Sequence, residues 1–209
     1  KLTQPNGDVY EGNLVAGRRE GQGKVTYANG DTYVGDFKDD RRDGQGTFTG
    51  ADGYIYTGSW VAGQIEGKGR VNYPDGSVYE GAFRDDLADG TGKITYPDGA
   101  VYEGMLKAGE RDGTGTLTMA DGLVYQGNWT MGQIEGKGRL VQPNGDIFEG
   151  DLVAGRRQGA GTVTYANGDV YVGSFADDRR NGLGTFTGTD GYKYVGDWKA
   201  GQIEGSGEV

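Results

Sequence analysis

This chain of 209 residues has no cysteine and no histidine, only four prolines, and no apolar run approaching the roughly 20 residues of a membrane span. Without cysteine there is no disulfide, no thiol nucleophile and no thiolate metal ligand, and the redox compartment stays open. Without histidine the commonest general base and the commonest metal ligand are gone. Basic residues are outnumbered, 21 against 31 acids, for a net charge of −10 and an isoelectric point near 4.5. Such a balance argues against nucleic acid and disfavours adhesion to anionic membranes, both of which want a basic surface. Hydrophobic residues reach 34%, too few for a thick two-layer core. Glycine is what the chain has in excess, 44 residues.

The glycines are not scattered. The frame Gly-x-x-Tyr-x-Gly recurs at one constant interval, beginning at Gly7, Gly30, Gly53, Gly76, Gly99, Gly122, Gly145, Gly168 and Gly191, with Phe148 for the tyrosine once. A fixed period without insertions means one small unit stacked many times. Residues 1–209 read as one continuous array: a partial repeat at 1–6, then units starting at those nine glycines, the last truncated. Lys1–Asn6 matches the tail of a unit and the C-terminus stops inside another, so both ends read as cut from a longer chain.

Each unit holds two short alternating stretches separated by polar, glycine-rich turns, the pattern of a β-hairpin. One turn reads Tyr27-Ala-Asn-Gly-Asp31 or Tyr73-Pro-Asp-Gly-Ser77, and Pro5, Pro74, Pro97 and Pro143 all fall in its second slot. Proline fits position i+1 of a type I turn, and glycine two residues on fits the left-handed region, which makes a three-residue loop. This register pairs Tyr27 with Asp31 and Val25 with Tyr33 and puts the large residues on one face, whereas a two-residue Asn-Gly turn would split them. The other connection, through Val-Ala-Gly-Arg-Arg, is expected to be a longer loop. Extending the register by parity gives a row of Tyr, Phe and Val, a row of glycines (Gly12, Gly23, Gly35, Gly46), and a row that alternates Leu14, Phe37, Trp60 and Phe83 with Gly21, Gly44 and Gly67. Rings lying over glycines would form a thin core within one sheet. Glycines at positions 50 and 188 lack the usual ring, and Tyr54 and Tyr192 stand at their expected cross-turn partners. The opposite face is polar, with Glu11–Lys24 and Glu80–Lys93 as expected cross-strand ion pairs. The fold class is therefore all-β, an antiparallel single-layer hairpin array, about 85 Å of ribbon before twist at ~4.8 Å per strand.

The stretch Tyr56-Thr-Gly58-Ser-Trp60-Val-Ala-Gly63-Gln-Ile-Glu-Gly67-Lys-Gly69 resembles the MORN repeat, Tyr-x-Gly-x-Trp-x-x-Gly-x-x-His-Gly-x-Gly, and the resemblance covers essentially the whole chain. It implies a single-layer β array used for protein–protein contact, adjoining membranes or lipid-modifying enzymes in some members and serving as a non-catalytic accessory to kinases or methyltransferases in others. Two departures stand out. The histidine slot holds Glu20, Asp43, Glu66, Asp89, Asp112, Glu135, Gln158, Asn181 or Glu204, which weakens any transfer of phospholipid binding. The tryptophan slot holds Trp only at 60, 129 and 198, every third unit. A longer period spans six units: positions 1–71 and 139–209 agree at roughly 50 of 71 places. Recent duplication and a repeated functional surface both account for that.

Two surfaces are candidates. The ring face (Tyr10, Tyr33, Phe37, Tyr56, Trp60, Tyr79, Phe83, Tyr102, Tyr125, Trp129, Tyr171, Phe175, Tyr194 and Trp198) reads either as a peptide groove or as core. Arg18, Arg19, Arg41 and Arg42, echoed by Arg156, Arg157, Arg179 and Arg180, read either as two anion- or partner-binding patches at loop tips or as solvated tips balanced by acids. The Asp39-Asp40, Asp85-Asp86 and Asp177-Asp178 pairs lack the alternating spacing of a calcium loop. No Ser-His or Cys-His nucleophile can be assembled and no phosphate-binding loop motif is present, so no catalytic residue, cofactor or metal is expected. The functional expectation is a non-catalytic scaffold that binds a protein or peptide along the ring face or associates with itself. The alternatives are peripheral attachment to phospholipid through the arginines and an accessory role beside an enzyme outside this stretch. The compartment expectation leans to the cytoplasm or a membrane periphery.

Overall fold

The computed structural model describes residues 1–208, and among these it has nineteen β-strands and no helix. The first are β1 (Leu2–Thr3), β2 (Val9–Val15), β3 (Arg18–Thr26), β4 (Thr32–Lys38), β5 (Arg41–Thr49) and β6 (Ile55–Val61), and the alternation of shorter and longer strands continues along the chain. The chain forms two compact units, one of Lys1–Gly99 with Met105–Glu110, the other of Ala100–Gly104 with the described residues from Arg111 onward. Within each unit, strands adjacent in sequence pair antiparallel in a single layer.

The turn between β3 and β4 takes the expected register. Val25 faces Tyr33, the Tyr27 amide donates to the Asp31 carbonyl at 2.9 Å, and the Gly30 amide closes the turn on Tyr27 at 3.0 Å. Gly30 has φ +93°, where a side chain would be strained. At Gly50 the amide donates to Tyr54 as the shifted-ring pattern requires, and the Tyr54 ring sits between Phe48 and Tyr73, 6.2 and 6.0 Å away.

The second connection differs from the expected loop. Between β2 and β3 only Ala16 and Gly17 are unpaired, with φ of +48° and +79°, a tight two-residue turn. Beyond it the ladder shifts: Gly12 faces Gly23 as expected, but Leu14 faces Arg19 rather than Gly21. One residue, Asn13, lies opposite the three from Glu20 to Gln22, so two extra residues bulge out. The same shift puts Phe37 opposite Arg42 and Trp60 opposite Ile65. The first glycine of each Gly-x-Gly carries the bulge; Gly44, for example, has φ +113°. The second lies under a ring: a methyl added at Gly46 would stand 2.5 Å from Cε2 of Tyr33. Two glycines so close in sequence are thus required for different reasons.

Those rings are the core. Tyr33, Tyr56, Tyr102, Tyr125 and Tyr171 have 0% exposure, and the second ring row, Phe37, Trp60, Phe83, Trp129, Phe175 and Trp198, stays at 6% or below. Adjacent rings meet edge to face, as Tyr33 does with Phe37 at 5.1 Å and with Trp60 at 5.4 Å, the arrangement the ring quadrupole favours. The hydroxyls of Tyr10, Tyr33, Tyr56, Tyr79, Tyr125, Tyr171 and Tyr194 donate to the carbonyl three positions on, Tyr33 to Asp36 at 3.0 Å and Tyr56 to Ser59 at 2.8 Å, so these buried phenols are satisfied. On the polar face Glu11 lies opposite Lys24 and makes an ion pair with Lys1 at 3.1 Å; Glu80 lies opposite Lys93 as expected and also pairs with Arg70 at 3.4 Å.

Candidate functional site

The arginines stand on strands, not at loop tips. Arg18, Arg41, Arg156 and Arg179 open their strands and Arg19, Arg42, Arg157 and Arg180 follow. Arg18 and Arg156 are exposed and reach Asp39 and Asp177 at 2.8 and 3.3 Å. The second arginine of each pair faces the rings because the bulge sets it opposite the Leu14/Phe37 row. Arg19 lies 5.1 Å from the Phe37 centroid, Arg157 5.6 Å from Phe175, and Arg42 and Arg180 each 4.0 Å from Trp60 and Trp198. Arg111, absent from the sequence-based set, stacks 4.2 Å from Trp129. The signal lies in the sequence: an arginine precedes every tryptophan at one constant spacing, Arg42 before Trp60, Arg111 before Trp129 and Arg180 before Trp198.

These stacked arginines also join neighbouring repeats. Nη2 of Arg42, Arg111 and Arg180 donates to the carbonyls of Gly63, Gly132 and Gly201 at 3.2, 3.0 and 2.9 Å. In the Asp-Asp turns the carboxylate answers instead: Asp40 Oδ1 accepts from the Arg19 amide at 2.8 Å, which holds Asp40 below its ordinary carboxylate range. Asp86 and Asp178 accept from the Ile65 and Arg157 amides at 2.7 and 2.9 Å. The aspartate pairs therefore tie turns together, and among the described residues no cluster with the makings of a metal site occurs. The acid in the family's histidine slot serves the same end. Glu20, Asp43, Glu66 and Glu135 accept from the amides of Asp39, Ala62, Asp85 and Ala154 at 2.9 to 3.2 Å, each the first, left-handed residue of the next tight turn.

With the Tyr and Trp rows buried, the accessible part of the ring face lies between the short turns and the tight turns. In the second unit it forms an open cleft of about 770 Å³. Its wall carries Asp146, Asn167 and Asp169, and its floor is Tyr165, Phe186, Tyr192, Trp198 and Ile203 with Arg180. Tyr165 and Phe186 are half-buried, so the floor presents part of two rings to solvent. The first unit has a smaller cleft of about 460 Å³ with Tyr27, Asp31, Arg42 and Phe48. A third, about 350 Å³, lies beside Arg111, Leu117 and Trp129. The clefts open on the face singled out in the sequence, but most of its rings lie beneath them: of the fourteen ring-face candidates, Trp129 and Trp198 line two of these clefts and Phe37 lines a further recess beside Arg19 and Arg42. Two slots outside the sequence-based set supply the floor, that of Tyr27 and Tyr165 at the short turn and that of Phe48 and Phe186, two residues earlier along the strand in each repeat. Nothing in the clefts pairs a nucleophile with a base. What they offer is apolar contact, carboxylate acceptors and a rigid backing.

Similar architectures are found in solved structures. The wild-type TCP10 domain of Danio rerio CPAP matches with a TM-score of 0.56 at 18% identity, over 94% of this chain and 92% of that one. The same domain in complex with a peptide of Danio rerio STIL matches at 0.52 and 17% identity, over 95% and 92%. The CPAP G-box domain matches at 0.53 and 18%, over 95% and 97%. At these identities the likeness is one of fold. No curated protein sequence matches significantly. The MORN repeat pattern matches residues 10–32, 33–53, 56–78, 79–101, 102–124, 125–147, 148–170, 171–191 and 194–208. These nine matches cover most of the chain, which belongs to the MORN-repeat family.

Proposed function

We propose that this array is a non-catalytic interaction module that holds a segment of a partner protein in the clefts of its ring face. The observation that carries this reading is the pair of clefts over Tyr27 and Phe48 and over Tyr165 and Phe186, where half-buried rings rest on a fully buried layer. A floor already fixed by its own core loses little conformational freedom on binding, so contact energy is not spent on ordering it. The complex of a similarly folded domain with a STIL peptide supports the idea that such a sheet can present a peptide site. The membrane alternative has less support, since Arg19, Arg42, Arg157 and Arg180 already serve tryptophan, phenylalanine, carbonyl and carboxylate partners.

The test is selection of a displayed library of random short peptides on the folded protein. Enriched peptides are expected to lose binding to a Phe48→Ser/Phe186→Ser variant with unchanged far-ultraviolet circular dichroism, and to keep binding to Gln45→Ala on the opposite face. Failure to enrich any peptide, or equal binding to the Phe double variant, overturns the reading. A concentration-dependent dimer that Phe186→Ser abolishes would replace a foreign partner by a second copy.

A further inference from the structure

The two clefts with Asp-bearing short turns share one set of lining residues. Six lining residues of the first, Asp8, Tyr27, Asn29, Asp31, Arg42 and Phe48, recur six repeats later as Asp146, Tyr165, Asn167, Asp169, Arg180 and Phe186, without one change of residue type. The geometry recurs as well. Tyr27 lies 6.5 Å from Phe48 at 52°, and Tyr165 lies 6.3 Å from Phe186 at 53°. Asp8 and Asp146 accept from the Ala28 and Ala166 amides at 3.0 and 2.9 Å, and Asp31 and Asp169 from Ala51 and Thr189, both at 2.9 Å.

The fold does not require this pair of carboxylates. The slot of Asp31 is filled by Tyr54, Ser77, Ala100 and Leu123 in the intervening repeats. Their turns keep the same left-handed glycine, φ +95°, +88°, +89° and +93°. Aspartate occupies the slot twice in succession only at 8 and 31 and at 146 and 169, the walls of the two clefts. Each cleft thus sets two carboxylates against one guanidinium, and that guanidinium is stacked on tryptophan and bonded to a turn carbonyl. The carboxylates keep free acceptor capacity beyond their turn contacts, and the amide of Thr189 holds Asp169 below its ordinary carboxylate range, hence charged at neutral pH.

Building on the peptide-docking reading, we infer that the two clefts are twin sites for a basic, apolar peptide, an aliphatic side chain seated on Phe48 or Phe186 and a flanking Lys or Arg bonded to the paired aspartates. Charge complementarity selects the occupant: an acidic chain of net charge −10 with carboxylate-walled apolar clefts repels acidic segments and steers basic ones.

The probe is the pentapeptide Lys-Leu-Lys-Leu-Lys, titrated into ¹⁵N-labelled protein, with Glu-Leu-Glu-Leu-Glu and Lys-Gly-Lys-Gly-Lys as comparisons. The lysine–leucine peptide should shift the Ala28 and Ala166 amides with a limiting ratio of two per chain, and both comparison peptides should bind at least about tenfold more weakly, as loss of charge-assisted bonds or of apolar burial requires. Asp146→Asn/Asp169→Asn keeps the turn acceptors while removing charge. It should silence Ala166 and leave Ala28 responding, and Asp8→Asn/Asp31→Asn should do the reverse. Equal binding of the glutamate peptide, or unchanged binding by the Asn variants, overturns the inference. If peptides selected from the library are acidic yet still depend on Phe186, the docking reading survives and this one falls; if no peptide of either charge perturbs the clefts, both fall.

Discussion

The guanidinium of Arg42 lies 4.0 Å from the centre of the Trp60 ring while its Nη2 bonds the Gly63 carbonyl. Ile65, on the neighbouring strand, faces Trp60 across the bulge. The same trio recurs as Arg111, Trp129 and Ile134, and as Arg180, Trp198 and Ile203. The three-repeat rhythm of tryptophan is therefore a rhythm of whole packing stations: the largest ring occurs where the preceding repeat supplies a flat cation and the following strand a branched aliphatic.

Removing the cation tests the station. Arg42→Ala should lower the urea midpoint by an amount equivalent to about 1–2 kcal/mol, the sum of cation–π and stem packing. Arg42→Lys should recover less than half of that, because an ammonium lacks the planar fork that stacks and bonds at once. Full recovery by lysine would show that charge alone matters at this position.

The two kinds of glycine should respond differently. Gly46→Ala drives a methyl to 2.5 Å from the Tyr33 ring and should cost about 3 kcal/mol or more, since the ring is buried on all sides. Gly63→Ala meets no atom within 4 Å and carries only the strain of φ +98°, about 1–2 kcal/mol. Thermal unfolding of the two variants gives the order.

One substitution should stabilise. Met131 sits at φ +44° with 73% of its surface exposed. Met131→Gly relieves the left-handed strain and sacrifices little packing, so a gain of about 0.5–1 kcal/mol is expected. An unchanged or lowered melting temperature would refute it.

Alkali should unfold the array within a defined window. Burial pushes Tyr33, Tyr54 and Tyr79 up to about 12 from the ordinary 10.0. Because the folded state resists ionisation, the unfolded state releases these protons first. The stability they represent is complete below pH 10 and is lost as pH rises toward 12. After the exposed rings have ionised, a later phase of phenolate absorbance should change together with the circular dichroism. Absence of that later phase across the structural transition would count against buried tyrosines as the cause.

The repeat, the ring-and-glycine face and the short-turn register can all be read in the sequence, because Asn/Asp-Gly chemistry and side-chain alternation are local signals. The tight turn cannot. Its bulge inserts two residues, and an even insertion leaves every side chain on its expected face while moving Leu14 from Gly21 to Arg19. Alternation is blind to that shift, and for that reason it puts the arginines at tips. The clefts escape for another. Tyr27 and Phe48 occupy the same face as the core rings, and only folding Tyr33 down onto Gly35 and Gly46 decides which rings are covered and which remain open.

The tyrosine laid over two glycines has a further consequence. Each repeat brings its own ring and its own bare backbone beneath it, and most bring a carboxylate clasp for the next turn, so among the described residues the core is built within one layer. Length is then a free variable that can change in whole steps of one repeat without redesigning any interior. Evolution or an engineer can move a cleft along such a chain in steps of one repeat.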